Sequence, residues 1–339
     1  MGQTLVIAEK PSVAGDIARA LGGFKKDGDF WVSDAMIVGS AVGHLLEIKA
    51  PEEYDVKRGR WSFANLPVLP PHFDLQPIKK SIKKFEGLEK KIRSRSVTDI
   101  INACDAGREG ELIFRYIIQA TGTKKPIRRL WLQSMTKASI QKAFTALRSD
   151  AEMKPLEAAA RSRSEADWLV GINGTRALTA FNSKDGGFFL TTVGRVQTPT
   201  LAIVVAREEE ITHFKPQNYW EVHATFGAQT GDYDSVWVDA DFKKTKGQSA
   251  ELKPERLWTA AEAQAIVAKC QGKLGIVTDH KRRATSAPPA LFDLTSLQRE
   301  ANGRFGFPAK MTLAILQRLY ERHKVLTYPR TDSRALPED

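Results

Sequence analysis

Cysteine is scarce: the 339 residues hold two, Cys104 and Cys270, and no Cys-x-x-Cys spacing. That excludes a disulfide scaffold and a cysteine-based zinc site in this segment, and a reducing cytoplasm is the expected compartment. Long apolar runs are lacking too. The longest, around Leu201–Ala206, is too short to span a bilayer and runs into Arg207 and three glutamates. Met1-Gly2-Gln3-Thr4 passes straight into Leu5-Val6-Ile7-Ala8 with neither a basic n-region nor a long apolar h-region, so neither export nor a membrane partner is expected. No Gly-x-x-x-x-Gly-Lys-Ser/Thr loop occurs, which excludes an ATPase of that type on this chain. Internal repeats are absent.

Acidic residues are also in deficit. Against 40 Asp+Glu stand 51 Lys+Arg, a net charge of +11. Such an excess favours a polyanionic partner, whether DNA, RNA or an anionic membrane surface; a merely basic soluble protein is the competing account. With 42% hydrophobic and 27% charged residues, the composition is that of an ordinary soluble protein, and the length suffices for two or three cores.

The first 150 or so residues alternate strand and helix patterns. Thr4–Ala8 reads as a buried strand. In Ser12–Leu21 the residues Val13, Ile17 and Leu21 share a helical face, and Gly22-Gly23 supplies the stop. Asp99–Ala103 is a second strand and Gly110–Ala120 a second helix, so the unit reads as α/β with a parallel sheet. Between them Ile78–Ser96 is lysine-rich but keeps Ile78, Ile82, Phe85, Leu88 and Ile92 at helical spacing, a surface helix with a solvated basic face. Pro155–Asn182 is strongly helical. Gln217–Lys253 turns β-rich, with Lys243–Lys253 a polar loop. Beyond a linker at Thr285–Pro289, helices are expected at Asp293–Asn302 and Pro308–Glu321, broken at Gly303–Gly306 and followed by a short Val325–Thr327 strand.

Ligands gather at the carboxyl ends of parallel strands. Glu9-Lys10 follows the first strand and Cys104-Asp105 another, and Asp105–Glu111 leads into a helix. Glu9, Asp105, Glu109 and Glu111 are therefore candidates to converge. Clustered carboxylates call for a hard divalent cation, Mg²⁺ above all where phosphates share the site, with Lys10 and Arg108 supplying positive charge. The plainer account is that Glu109 and Glu111 only favour a helix N-terminus.

These residues carry a resemblance. Glu9-Lys10-Pro11-Ser12 after a strand, together with Asp105-Ala106-Gly107-Arg108-Glu109-Gly110-Glu111, is similar to the Toprim domain of topoisomerases, primases and some nucleases. Gly43–Glu47, Asp167–Asn173, Val193–Gln197 and Leu326–Ser333 (Leu-Thr-Tyr-Pro-Arg-Thr-Asp-Ser) resemble type IA DNA topoisomerase motifs in the family's order, and Glu-Lys-Pro-Ser points to the topoisomerase III branch.

The resemblance implies a Toprim domain at 1–150, with a parallel sheet and helices on both faces. A helical gate segment at 151–215, a β-rich arch segment at 216–280 and the start of a helix–turn–helix-like tyrosine domain at 281–339 would follow. It implies an ATP-independent enzyme that acts on single-stranded DNA, as a monomer. Tyr328 forms a 5′-phosphotyrosine, another strand passes, and the break is resealed, giving relaxation or decatenation. Arg330 and Lys10 would stabilise charge, and Glu9 would shuttle the leaving-group proton. Mg²⁺ would sit on Glu9 and Asp105 with Glu109, one ion being the safer expectation because Gly107 stands where a second aspartate is usual. DNA contacts would come from Arg163, Asp167, Arg176 and the run Thr192-Val193-Gly194-Arg195-Val196-Gln197.

Other residues leave two accounts open. His44 is either near the site or a satisfied core histidine. Arg163 and Asp167 are four apart on one helical face and can pair, as a plain surface bridge would. Trp168 and Phe305 suit base stacking or, more simply, a core. The rival functions are a Toprim nuclease or primase and a non-catalytic DNA-binding remnant. Because the chain stops at Asp339, eleven residues after Tyr328, the expectation is that it does not relax supercoiled DNA by itself.

Overall fold

The computed structural model describes residues 2–53, 61–243 and 251–336. These fall into two units, Met1–Thr200 with Pro288–Asp339, and Leu201–Ala287.

In the first unit the chain forms β1 (Gln3–Ala8), α1 (Pro11–Leu21), β2 (Lys25–Asp27), β3 (Phe30–Val32), β4 (Met36–Ser40), β5 (Leu46–Ile48), β6 (Leu75–Pro77) and α2 (Ile82–Arg93). It continues through β7 (Val97–Ala103), α3 (Arg108–Thr121), β8 (Ile127–Arg129), α4 (Lys137–Thr145), β9 (Arg148–Ser149) and α5 (Asp150–Asn182). The main sheet has the order β2-β3-β4-β1-β7-β8-β9. Its centre, β4-β1-β7-β8, is parallel as expected, while β2, β3 and β9 add antiparallel edges. The β2–β3 turn is only Gly28-Asp29, with Gly28 at φ +55°, and so short a connection returns antiparallel.

Strand periodicity sorts the core. Leu5, Ile7 and Ile100 pack on one face against Phe85, Leu88 and Ile92 of α2 and Ile113 and Ile117 of α3. Val6, Ala8 and Ile101 face the other way, onto Val13 and Ile17 of α1 and Ile140 of α4. The apolar run of β1 is buried on both sides because helices cover both. Gly22 and Gly23, at φ +75° and +76°, stop α1.

Helix α5 begins five residues before the expected Pro155. Ser149 and Glu152 form a reciprocal capping box that fixes the start at Asp150, and Pro155 is carried inside the helix. Helix α6 (Gln197–Thr212) follows.

In the second unit, β10 (His223–Ala228) and β11 (Gly231–Val236) form an antiparallel hairpin with Phe226 stacked on Tyr233, and α7 (Ala260–Cys270) follows. Residues 244–250 of the expected polar loop lie outside the described residues.

Back in the first unit, α8 (Leu294–Phe305) and α9 (Ala309–Arg318) form the expected helix pair. The break is later than expected: α8 runs through Gly303 and ends where Gly306 adopts φ +67°. A π-helical turn, Leu319–His323, extends α9 and closes on Lys324 at φ +58°. No strand forms at Val325–Thr327; the segment has no partner edge among the described residues, and Val325 and Leu326 stay exposed.

Candidate active site

Strands β1 and β7 are parallel neighbours with Ala8 opposite Ala103, so Glu9-Lys10 and Cys104-Asp105 leave the sheet at the same edge. β4 lies on one side of β1 and β7 on the other, the crevice where open α/β sheets bind ligands. The Asp105 backbone N–H donates to Glu9 Oε2 at 3.4 Å. Lys10 Nζ lies 3.6 Å from Asp105 Oδ2 and 3.0 Å from Glu321 Oε1. Burial, then the charge of Asp105, raises the Glu9 pKa above its ordinary value. Burial opposes the Lys10 charge, but Asp105 and Glu321 outweigh it, so its pKa is also raised.

The other wall comes from the segment after α9. A cleft of about 560 Å³ is bordered by Asp105, Trp131, Gln133, Tyr320, Tyr328 and Arg330, among others. Tyr328 and Arg330 share this wall. Burial, Asp105 and Glu9 push the phenol pKa up, and Arg330 pulls it back. The Tyr328 ring packs edge-on against Tyr320 at 5.6 Å. Lys324 pairs with Asp16 of α1, a second ion pair between this segment and the sheet domain.

The acidic motif divides in two. Glu109 and Glu111 are two apart on α3 and so lie on roughly opposite faces. Glu109 is 72% exposed and meets His44 Nε2 at 2.5 Å. His44 is therefore no core histidine; Glu109 is paired with it, while the Glu109 charge still reaches Glu9 and adds to the rise of its pKa. Glu111 corrects the expectation outright: it is 0% exposed, receives Arg115 Nε at 2.7 Å and Asn102 Nδ2 at 3.0 Å, and lies 3.5 Å from Arg129 Nε. It anchors the floor of the site instead of facing it. Arg129 in turn donates to the carbonyls of Cys104 and Asp105, both at 2.7 Å. Arg108 stands exposed at the start of α3.

Among the described residues no group of three or more His, Cys, Asp or Glu side chains is placed to hold a metal. A two-carboxylate site still fits Mg²⁺, which commonly takes one or two carboxylates and fills its octahedron with water and phosphate oxygens. Asp105 Oδ2 is buried with no hydrogen-bond donor among the described residues and only the longer ion pair to Lys10 at 3.6 Å, so a carboxylate oxygen beside Glu9 retains capacity for a cation. A Cβ on Gly107 would meet nothing within 4 Å, so the missing second aspartate is not a matter of space.

Tyr116 Oη of α3 donates to Ser164 Oγ of α5 at 2.9 Å, tying the long helix to the sheet domain. On α5, Arg163 Nε lies 3.9 Å from Asp167, and Arg195 Nη1 reaches Asp167 Oδ1 at 3.1 Å. Three of the expected DNA contacts are thus together. The Val193 backbone N–H donates to Thr175 Oγ1 at 3.0 Å, and a Cβ on Gly174 would come within 2.7 Å of the Val193 side chain, so glycine there admits the Thr192–Gln197 run. Arg176 differs from expectation: it is buried, paired with Glu52 and set over Trp61. Trp168 packs on Phe73, whereas Phe305, at 67% exposed, is not core.

Sequence reasoning missed Trp131 and Gln133, although they follow β8, the next parallel strand, at the same carboxyl edge. It also missed Glu321, Lys324 and Asp16, which carry no motif signal of their own.

The family model described as DNA topoisomerase matches residues 151–339, and the one described as Toprim domain matches residues 4–135. DNA topoisomerase 3 of Bacillus subtilis is 42% identical over 341 residues, covering 100% of this chain and 44% of that protein. DNA topoisomerase 3 of Bacillus cereus is 43% identical over 342 residues with the same coverage. The chain thus spans less than half the length of these curated relatives. Full-length topoisomerase I from Thermotoga maritima shares the fold, with a TM-score of 0.61 over 98% of this chain and 50% of that one, at 23% identity. Among the described residues no helix is long and apolar enough to cross a membrane. With the Toprim carboxylate of Asp105 and Tyr328 on one cleft, and these matches over nearly its whole length, the chain belongs to the type IA DNA topoisomerase family.

Proposed function

We propose that this chain carries the strand-cleaving centre of an ATP-independent, cytoplasmic, monomeric topoisomerase of the topoisomerase III kind, acting on single-stranded DNA. The observation that carries the reading is that Tyr328 and Arg330 border one cleft with Asp105, hundreds of residues away in the chain, and that Glu9 and Lys10 lie beside Asp105. The four-part division at 1–150, 151–215, 216–280 and 281–339 belongs to the same reading. So does the end result, relaxation or decatenation of DNA.

Tyr328 Oη loses its proton to water and attacks a phosphodiester phosphorus; the new O–P bond forms as the P–O3′ bond breaks, leaving a 5′-phosphotyrosine and a 3′ oxygen that is protonated to the free hydroxyl. Conserving one high-energy ester in another removes any need for ATP. Arg330 and Lys10 offset charge on the equatorial oxygens. Glu9, with its raised pKa, is suited to hold a proton and hand it to the departing 3′ oxygen. Glu9 and Asp105 would hold a Mg²⁺, which would supply positive charge beside the phosphate during rejoining. Arg163, Asp167 and Arg195 are assigned to the strand upstream of the break. The test is a denaturing gel after incubation with end-labelled oligonucleotide: a protein-linked fragment supports the reading, while free cleavage would indicate a nuclease and a mobility shift alone a binder.

The chain is expected to bind single strands in preference to duplex, with affinity falling steeply as salt rises, by a log–log slope of about −0.7 per phosphate neutralised. The motivation is the net charge of +11 and the exposed Arg163 and Arg195. Titration of labelled strands at two salt concentrations checks it, and equal affinity for both forms counts against it.

Mg²⁺ is expected to bind at about one ion per chain, and Asp105→Asn to weaken it at least about tenfold, far more than Gly107→Ala. Calorimetric titration decides: two tight ions, or undiminished binding by Asp105→Asn, would overturn the assignment.

A further inference from the structure

The mechanism above makes no use of the far end of the cleft. Trp131 and Gln133 border it from the sheet side, and Asp332 and Ser333 from the tyrosine segment. Trp131 follows directly on β8, two residues beyond the buried Arg129. The guanidinium groups of Arg148 and Arg129 lie 4.4 Å and 5.2 Å from its ring centroid. Such contacts hold an indole in place. A fixed, half-buried aromatic face with Gln133 exposed beside it matches a nucleobase, which is flat, heteroaromatic and edged with donors and acceptors. The cleft volume, about 560 Å³, accommodates a nucleotide-sized ligand.

We propose that Trp131 is a stacking platform for the base on the downstream side of the break, that of the nucleotide whose 5′-phosphate joins Tyr328, with Gln133 on that base's edge. This rests on the proposed function. The downstream side follows because the cleft that holds Tyr328 is not lined by Arg163, Asp167 or Arg195, the residues assigned upstream. Stacking is tolerant of sequence, since every base offers a π-face, so Trp131 orients the scissile phosphate without fixing the cleavage sequence.

The experiment scans 2-aminopurine, one position at a time, along an oligonucleotide with a mapped cleavage site, and reads its fluorescence on binding to the full chain. Quenching is expected at the position just 3′ of the break, lost in Trp131→Ala and largely kept in Trp131→Phe, which also controls for folding. An abasic nucleotide at that position should weaken binding and adduct formation by wild type roughly tenfold. In Trp131→Ala the abasic nucleotide should make little further difference. Quenching that survives Trp131→Ala, or an abasic effect of equal size in both proteins, overturns the proposal. Absence of any Tyr328-dependent adduct would instead strike the proposed function, and the fluorescence scan would still show whether Trp131 stacks on one base.

Discussion

Tyr328→Phe is expected to lower covalent adduct formation by at least about a thousandfold while leaving the fold intact. The substitution deletes one oxygen, the proposed phosphoryl acceptor, and no ring atom. Removing the nucleophile of a covalent mechanism typically leaves only the acceleration from binding and charge stabilisation. The edge-on contact with Tyr320 at 5.6 Å involves the ring alone, so packing should survive. Removing a hydroxyl held among carboxylates relieves burial of a polar group, and the melting temperature should hardly move. The informative control is Tyr320→Phe, because Tyr320 borders the same cleft. A denaturing gel for the protein–DNA adduct, with circular dichroism for the fold, checks both. Adduct formation by Tyr328→Phe, or its loss only in Tyr320→Phe, would sink the assignment of the nucleophile.

The largest effect on stability is expected at Glu111. Its carboxylate is completely buried and serves two buried arginines, with Arg115 5% and Arg129 1% exposed. Arg115 keeps Asp150 at 2.6 Å and Glu157 at 3.2 Å if Glu111 is lost. Arg129 has no other carboxylate partner among the described residues, and its Nε already lacks a hydrogen bond. Breaking a buried ion pair from one side leaves a charge that water cannot reach, at a cost of about 3–5 kcal/mol. Against a typical total of about 5–15 kcal/mol, that is a large share. For a unit of this size, Glu111→Ala should lower the melting temperature by roughly 6–20 °C. Glu111→Gln keeps an acceptor and should fall in between. Because Arg129 holds the carbonyls of Cys104 and Asp105, the variant should also lose Mg²⁺ affinity at temperatures where it remains folded. A shift under about 2 °C in thermal denaturation would show that the network is dispensable.

What could be read from the sequence was whatever a continuous local pattern determines. β1 with α1 and β7 with α3 combine an apolar strand, a turn and a 3.6-residue periodicity, and they appear nearly where expected. The edge strands β2, β3 and β9 are two or three residues long and exist because a neighbour's register recruits them. The α5 boundary shows two local signals in conflict: proline at a first turn suggested one start, and the Ser149–Glu152 box set another. The Val325–Thr327 run has strand composition but no partner edge among the described residues, so composition alone misled. In the site, the contiguous Glu9-Lys10 and Tyr328–Arg330 segments were legible as motifs. The division of labour between Glu109 and Glu111 was not, since it depends on which face of α3 meets Arg129. Glu321 and Asp16 act through contacts 311 and 308 residues apart in sequence, a range at which no local pattern carries information.

That same separation sets an order in time. The chain leaves the first unit at Thr200, builds another compact unit through Ala287, and only then returns to complete the cleft. The entropy of closing so long a loop grows only with the logarithm of its length, so the final stability suffers little. The kinetics are another matter, because contacts this distant form late. During synthesis the acidic half of the cleft emerges well ahead of Tyr328, by on the order of ten seconds at ordinary elongation rates. A growing chain thus holds Glu9 and Asp105, the carboxylates proposed for the cation, before it holds Tyr328. On the proposed function, competence to break DNA waits for the segment that carries Tyr328.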